Sequence, residues 1–542
     1  MAQKHTLEEL NNCSREELIT IVLMMQGQLD TLNDNIEKLI EQVRIANNYR
    51  FGKHTETLKS IEGQLSFFDK AEAACDEPFG EPSAEEVLPA KHRAKKKGQR
   101  DLDLKDFPEE ILPPYSVSEE QLDAFYGKGN WRRMPDETYK RLRHEPESWT
   151  VEIHTVEVYV GTDGDHQDEF LRGNRPKDLL RNSIVTSSLL ASILNVKYVN
   201  SSALHRIEQE FQRNGVNISR QTMSNWIVKC SQMYFTPFVE RMKQELLSLH
   251  VTQSDETPTQ VIADSDHHNS KCYMWVHRSG EFYTRRPIVI YEYQKGRDHQ
   301  KPLDFYKDYK GILVTDSLQQ YHLVDKKLAD VTNANCWAHA RRDFADAVKA
   351  ADKKDPSSVR QSAAYQALQK IAEFYNADTE LKELSSKERL QKRQELIKPM
   401  VEEVFAWVKQ QASDCTVPPK SKTGHGLNFV INQEKYLRVF LEDGDVPIDN
   451  SASEKAIRTF CLGKKNWMFH NTAKGASASA MVYSISETAK LNNLRPYYYF
   501  KYILTELPKL CDERGNIDPT ELDYLMPWSD SLPDECRKPR RS

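Results

Sequence analysis

The chain has 542 residues and a formal net charge of −6, so it is long enough for several domains, and its overall charge does not indicate a polyanionic partner. Its nine cysteines are odd in number and form no C-x-x-C pair, which argues against a disulfide framework and favours a reducing compartment. The sequence has no signal-peptide pattern, and its longest apolar run, residues 18–25, is too short to span a bilayer. We expect a soluble cytoplasmic protein without membrane contact.

The N-terminal region, residues 1–58, carries a narrow apolar seam with alternating spacings of four and three. The seam consists of Leu18, Val22, Met25, Leu29, Leu32, Ile36, Leu39 and Val43. This spacing predicts a leucine-zipper-like coiled coil and therefore self-association, although one amphipathic helix packed on its own core is the alternative.

A linker follows at residues 59–100, first acidic and then basic. Its basic stretch, residues 91–100, includes Lys95, Lys96 and Lys97. Such a run is either a solvated tether or an arm that contacts DNA phosphates, and the composition fits both.

Residues 101–182 are predicted to be β-rich, with a hairpin near residues 151–160, and residues 183–245 to be helical. Within the second region, residues 204–212, a turn at Asn214–Gly215 and residues 219–233 predict a helix–turn–helix. Arg220, Gln221 and Asn225 would project from its second helix, as in a DNA-reading module. Helix pairs joined by a glycine turn are common, so the pattern alone does not settle this role.

The order of elements from residue 246 to residue 350 carries the strongest fold prediction. Three strands, a helix, a strand, a helix, a strand and a helix are the order of a ribonuclease H-like core. Asp255 on the first strand and Asp316 after the fourth occupy the places where that fold carries carboxylates. An aspartate at a strand end is by itself usually a turn former. The agreement of both positions with the topology favours a functional role.

Residues 351–445 are predicted to form a helical insertion, because they are helical in pattern and too long for a connecting loop. The core resumes at 446–510 and a peripheral tail follows at 511–542. A helix is expected to start at Ser451, and Ser451-x-x-Glu454 matches a capping box, so Glu454 is either a helix cap or a third functional carboxylate.

Two aspartates and a glutamate would form an all-oxygen site that suits Mg²⁺ or Mn²⁺, with a phosphodiester as the substrate of two-metal chemistry. Basic and polar side chains near them are candidate DNA contacts, although His339 could instead be a core residue and Arg342 a surface residue. The candidates are His339, Arg341, Arg342, Lys464, Lys465 and Asn466. Cys336 and His339 have metal-like spacing, but the sequence shows no second ligand pair, and no zinc is expected.

Several strings resemble transposases of insertion-sequence family 66, in order along nearly the whole chain. They are SDETP (254–258), TDSLQQYH (315–322), CWAHARR (336–342), DNSASEKAIR (449–458), GKKNWMF (463–469), YSISETAKLNNLRPYYY (483–499), YRFGKHTETL (49–58) and SRQTMSNW (219–226).

The resemblance implies a multidomain α/β protein of the DDE type, with a ribonuclease H-like catalytic core, an α-helical insertion, and a coiled coil and helix–turn–helix before them. It implies that Asp255, Asp316 and Glu454 are the metal-binding catalytic triad, with Asp449 the nearest competitor for the third place. It also implies DNA as substrate, a nucleoid-associated location and small accessory proteins encoded by the same element. The chain lacks the family's four-cysteine motif between residues 112 and 163.

Three functions remain open at this point. The first is a transposase that cleaves element ends and joins the 3′-hydroxyl to target DNA. The second is a non-catalytic, repressor-like DNA-binding protein, which the missing cysteines suggest and the intact carboxylates argue against. The third is a nuclease of the same core fold that cuts without joining.

Overall fold

A computed structural model describes residues 177–264, 272–298, 300–350, 356–414, 417–512 and 514–538, with short pieces at 120, 149–151, 158–160 and 170–172. The predicted coiled coil and the linker with Lys95, Lys96 and Lys97 lie outside the described residues. The chain forms two compact units, of which one contains residues 177–538 and the other residues 78–176.

The smaller unit contains a β-hairpin in the region predicted to be β-rich. Strand β1 (Val158–Val160) pairs antiparallel with β2 (Phe170–Arg172), with Val158 opposite Arg172. The second strand of this pair therefore lies later in the chain than the hairpin predicted near residues 151–160.

In the described part of the larger unit, four α-helices come first, and the two predicted for a helix–turn–helix are among them. The four are α1 (Ser187–Leu194), α2 (Leu204–Arg213), α3 (Arg220–Cys230) and α4 (Thr236–Leu247). Gly215 in the turn between α2 and α3 has φ +78°, a conformation that glycine adopts without steric cost. The Ser219 hydroxyl accepts the Thr222 amide hydrogen and caps α3. A DNA-reading role for this pair stays a prediction.

A five-stranded mixed sheet follows, in the predicted order of strands and helices. Its elements are β3 (Val251–Thr259), β4 (Cys272–Ser279), β5 (Val289–Lys295), α5 (Gln300–Tyr306), β6 (Gly311–Thr315), α6 (Gln319–Lys327), β7 (Val331–Asn335) and α7 (Trp337–Ala350). The strand order is β5-β4-β3-β6-β7, with β3, β4 and β5 antiparallel and β3, β6 and β7 parallel. The ribonuclease H-like assignment stays a prediction on this topology.

The predicted insertion is helical and packs on the sheet. Its helices are α8 (Pro356–Gln361), α9 (Ala363–Glu380), α10 (Ser386–Lys392), α11 (Lys398–Ser413), α12 (Lys422–Asn432) and α13 (Glu434–Leu437). The single apolar helix predicted at 427–441 is instead broken after Asn432 and Leu437. Neighbouring Leu313 and Val314 on β6 belong to different core clusters, because successive strand side chains point to opposite faces. The insertion helices cover the face that carries Val314.

A buried ion pair inside the insertion holds the segment that leads back to the core. The Arg393 Nε donates to Asp378 Oδ1 at 2.6 Å, and its Nη1 donates to the carbonyls of Phe440 and Val446 at 2.9 and 2.8 Å. Both charged side chains are almost fully buried. The pair therefore fixes the approach of the chain to residue 450.

The last helices, α14 (Ser451–Trp467), α15 (Ala473–Leu491) and α16 (Pro496–Leu510), share one core with α1 to α4. The Tyr198 and Ser479 hydroxyls lie 3.1 Å apart, and the rings of Phe235 and Phe500 pack with centroids 6.3 Å apart. The region proposed for DNA reading is thus built on the C-terminal helices.

The tail predicted after residue 510 is not peripheral. Several of its apolar side chains are buried in the same core, namely Ile517, Leu522, Leu525, Met526 and Leu532. They lie on short 3₁₀ turns and loops, which lack the periodicity that reveals a helix or strand in a sequence. Among the described residues, no helix is long and apolar enough to cross a bilayer.

Candidate active site

Asp255 lies on β3, and Asp316 directly follows β6, the neighbouring parallel strand. The register of β3 and β6 pairs Gln253 with Val314. Asp255 and Asp316 each lie two residues after this pair in the sequence. The antiparallel strand β4 continues past Asp255, which faces Val276 in the register. The sheet therefore brings together two carboxylates that are far apart in sequence.

Glu454 reaches the same place from the first turn of α14. Burial raises the pKa of the Asp255 carboxyl well above its usual range, and the charges of Asp316, Glu256 and Glu454 raise it further. Burial and then Glu256 raise the pKa of Asp316 to about 7. Burial and the neighbouring carboxylates thus disfavour ionisation of Asp255 and Asp316, and a divalent cation beside them would remove that penalty.

The sequence motifs indicated no role for Glu256, although it lies next to Asp255. Its side chain is 1% exposed and accepts hydrogen bonds from Arg297 Nε at 2.7 Å and from the Tyr321 hydroxyl at 2.6 Å. Tyr321 also lies 3.3 Å from the Ser254 hydroxyl. The one sequence signal for Glu256 was its position next to Asp255 in the SDETP string. Its partners Arg297 and Tyr321 come from distant segments, so no local pattern connects them to it.

The start of α14 differs from the predicted capping box. The helix N-cap is Asn450, Ser451 is the first helical residue, and the Asn450 side chain makes no capping hydrogen bond within the described residues. The capping box is therefore not formed in the predicted register. Asp449 Oδ1 instead accepts the Ser451 amide hydrogen at 2.9 Å and satisfies that end of the helix.

Asp449, the competitor for the third carboxylate, is buried, and burial raises its pKa. The first acidic neighbour that raises this pKa further is Glu281, whereas Glu454 is among the charges that act on Asp255. The charges that act on each residue thus favour Glu454 over Asp449 as the partner of the two aspartates.

Asn450 joins three elements of the site. Its side-chain amide donates to the Ser254 carbonyl at 2.8 Å and accepts from Gln253 Nε2 at 3.1 Å, while its backbone amide donates to Cys336 Sγ at 3.1 Å. Its carbonyl accepts the Glu454 amide hydrogen at 3.2 Å. One buried asparagine therefore sets α14 against β3 and against the start of α7.

The start of α7 lies against Glu454. His339 Nδ1 is 3.9 Å and Arg342 Nη2 is 4.0 Å from Glu454 Oε1. Burial and the charge of Arg342 lower the pKa of His339 to about 3, so its ring is neutral at neutral pH. Arg341 was predicted as a DNA contact but is 5% exposed, because it lies one helical turn after buried Trp337 on the core face of α7.

The remaining candidate DNA contacts are at the surface. Arg220, Gln221 and Asn225 are exposed on α3, and Gln221 Nε2 donates to Asn225 Oδ1 at 3.2 Å. In the last turn of α14, Lys465 and Asn466 are exposed and Lys464 is half-buried. Arg206 on α2 lies 3.5 Å from Asn466, so α2 and the end of α14 form adjoining surface.

Comparison with known proteins gives two family matches. The model of the IS66 family transposases matches residues 182–478, and the model of the IS66 C-terminal element matches residues 484–528. The first match includes Asp255, Asp316 and Glu454 and spans more than half of the chain.

The similar curated proteins carry no assigned function. Two uncharacterised proteins of Sinorhizobium fredii, y4qI and y4hP, are 27% and 26% identical over 376 and 349 residues, which is 67% and 63% of this chain. These alignments span 66% and 61% of the relatives' own length, somewhat less than two thirds. The family models, rather than these relatives, establish the assignment: the chain belongs to the IS66 family of transposases.

Proposed function

We propose that this protein is a DNA transposase that cleaves the ends of its element and joins the 3′-hydroxyl to target DNA by two-metal phosphodiester chemistry. The observation that carries the proposal is the convergence of Asp255, Asp316 and Glu454 from β3, the end of β6 and the start of α14. The pKa of Asp255 responds to both other carboxylates, which supports their proximity.

The donor set fits Mg²⁺ or Mn²⁺, because three carboxylates offer hard oxygen ligands and concentrate negative charge in one place. Such ions, when bound, activate an attacking water or hydroxyl and stabilise the leaving oxygen. Asp255 and Asp316 would hold them from the rigid sheet, and Glu454 would complete the set from the helix. Since the carboxylates are acceptors only, they have no proton to donate once ionised.

The surrounding side chains would keep this geometry and bind the DNA backbone. Arg297 and Tyr321 fix Glu256, and Asn450 fixes the first turn of α14. Arg342 is half exposed beside Glu454 and would contact a phosphate of the bound strand.

Further DNA contacts are proposed on the exposed surfaces of α3 and of the α14 C-terminus. Their exposure and adjacency support the proposal, and charge on Lys465 suits the phosphate backbone. Self-association through the predicted coiled coil stays a prediction, because residues 1–58 lie outside those described. A need for accessory proteins also stays a prediction.

Strand transfer by the purified protein tests the proposal. The substrate is a labelled duplex carrying the end of its own element, with Mg²⁺ or Mn²⁺ against EDTA. Glu454→Gln, Asp255→Asn and Asp316→Asn should each lose more than about 100-fold of activity, since even outer-shell changes at metal sites cost about 10- to 100-fold. Asp308→Asn, whose carboxylate is 77% exposed, is the matched control and should act like wild type.

DNA binding by the same variants separates the remaining functions. Retained binding with lost product supports the catalytic roles. Cleaved but never joined product would favour a nuclease. Metal-independent binding without cleavage, with accessory proteins also supplied, would favour a repressor-like protein. Full activity of any one variant would remove that residue from the triad.

A further inference from the structure

Glu454 also belongs to a second group of possible metal ligands. Cys336, His339 and Glu454 each offer one donor atom, and these atoms all lie within 4.8 Å of one another. The set contains sulfur, nitrogen and oxygen, unlike the all-carboxylate set proposed for Mg²⁺. In the sequence, Cys336 and His339 lacked further ligands, and the fold supplies Glu454 as the third.

The spacing is close to that of a tetrahedral zinc site. Zinc bonds of about 2.0–2.3 Å to nitrogen, oxygen and sulfur place neighbouring donors roughly 3.3–3.7 Å apart in a tetrahedron. The distance from His339 Nδ1 to Glu454 Oε1 is 3.9 Å. Movements of about 1 Å or less would therefore bring all three donors onto one ion, with a fourth position left for water.

The hydrogen bonding of the two α7 residues supports this interpretation. His339 Nδ1 is buried and has no hydrogen-bond partner within the described residues. Buried polar atoms are almost always partnered, so an orphaned ring nitrogen calls for an explanation. Cys336 Sγ accepts the Asn450 amide hydrogen at 3.1 Å, which is the kind of outer contact that stabilises a coordinating thiolate.

The surrounding charges are mixed. The negative charge of Asp449 reaches Cys336, and the negative charges of Asp255 and Glu454 reach each other. Both carboxylates, Asp449 and Asp255, therefore favour binding of a cation at this site. The positive charge of Arg342, 4.0 Å from Glu454 Oε1, opposes cation binding. Its side chain is 53% exposed, however, and can turn away into solvent. Cys336 itself is fully buried, so an ion would enter from the side of His339 and Glu454.

We propose that Cys336, His339 and Glu454 bind a thiophilic divalent cation of the Zn²⁺ type, and that this ion withdraws Glu454 from the Mg²⁺ site. On binding, the Cys336 S–H bond breaks, a sulfur–metal bond forms, and the proton passes to solvent. The first half of the proposal stands on the three donors alone. The second half rests on the proposed function, because it requires Glu454 to serve Mg²⁺.

Metal binding by the full-length protein without DNA tests the first half. We expect one tight equivalent of Zn²⁺ by calorimetry, and a thiolate-to-metal charge-transfer band when Co²⁺ is the probe. Cys336→Ser should remove the band and weaken binding by at least about 100-fold, while its hydroxyl can still accept the Asn450 amide hydrogen. Cys511→Ser, at a half-buried free cysteine elsewhere, should leave both unchanged.

His339→Gln is the second variant, should the serine variant fail to fold, and it should weaken Zn²⁺ binding to the same extent. Absence of a tight equivalent in wild type would overturn the site. Binding that survives both Cys336→Ser and His339→Gln would overturn it equally.

Strand cleavage at fixed Mg²⁺ with added Zn²⁺ tests the second half. Wild type should be inhibited, and Cys336→Ser, measured relative to its own rate without Zn²⁺, should need at least about 100-fold more Zn²⁺ for the same fractional inhibition. Tight Zn²⁺ binding without inhibition would overturn the competition. If wild type never cleaves DNA, the proposed function fails, and the binding measurements still decide whether the site exists.

Discussion

Asp316→Asn should stabilise the metal-free protein, although it should abolish activity. The folded protein raises the pKa of Asp316 from 3.8 to about 7, by burial and by the neighbouring Glu256. Each unit of difference between folded and unfolded pKa corresponds to about 1.4 kcal/mol, so ionised Asp316 costs the fold about 4 kcal/mol. The amide carries no charge and keeps an oxygen that can accept the Leu318 amide hydrogen.

The sign of the pH dependence follows from the direction of the shift. Below about pH 4, Asp316 is protonated in both states and costs nothing. As the pH rises towards 7, the unfolded chain loses this proton first, so wild type loses stability relative to the variant. Above pH 7 the difference reaches its full value of about 4 kcal/mol.

Thermal unfolding in EDTA at a series of pH values measures the difference. For the stretch 177–538 of the larger unit, about 360 residues, 4 kcal/mol corresponds to about 5 °C in Tm. The variant should melt about 5 °C above wild type at pH 8 and together with it near pH 4. Mg²⁺ should raise the Tm of wild type and have little effect on the variant. Equal melting at all pH values, or a variant that melts lower at pH 8, would refute the reasoning.

Three other substitutions test the framework of the site. Asn450→Asp loses the donor to β3 and buries a carboxylate against the Ser254 carbonyl, so it should raise the Mg²⁺ concentration needed for cleavage by at least about 10-fold and also lower the Tm; an unchanged metal titration would contradict the positioning role. Arg393→Met leaves Asp378 buried and unpaired, and should cost about 3–5 kcal/mol in a denaturant titration, whereas a loss under about 1 kcal/mol would mean that the pair is dispensable. Gly463→Ala would press a methyl group against Trp467 and should cost about 1–3 kcal/mol by the same assay; a neutral effect would show that the ring can move.

The order of strands and helices could be predicted because each element carries its own periodicity and turn residues. The placement of Asp255 and Asp316 followed from that order, since equivalent positions on neighbouring parallel strands lie next to each other, although β3 continues four residues beyond Asp255. The predicted elements from β3 to α7 are present in this order in the structure.

The details that depend on tertiary contacts could not be predicted. Ser451 and Glu454 match a local capping motif, yet contacts to β3 and α7 place the N-cap one residue earlier, at Asn450. Glu256 gains its role from Arg297 and Tyr321, which no local pattern connects to it. The burial of the C-terminal segment was missed because irregular backbone has no period to detect.

The shared core of α1 to α4 with α15 and α16 has a consequence for incomplete gene products. Tyr198 and Phe235 pack against Ser479 and Phe500, so the helices proposed to read DNA lack their support until the C-terminal helices have been translated. We therefore expect a frameshifted or prematurely terminated copy to lose DNA binding together with catalysis. Such a copy would be cleared as unfolded chain and would not persist as a dominant-negative competitor for the element ends.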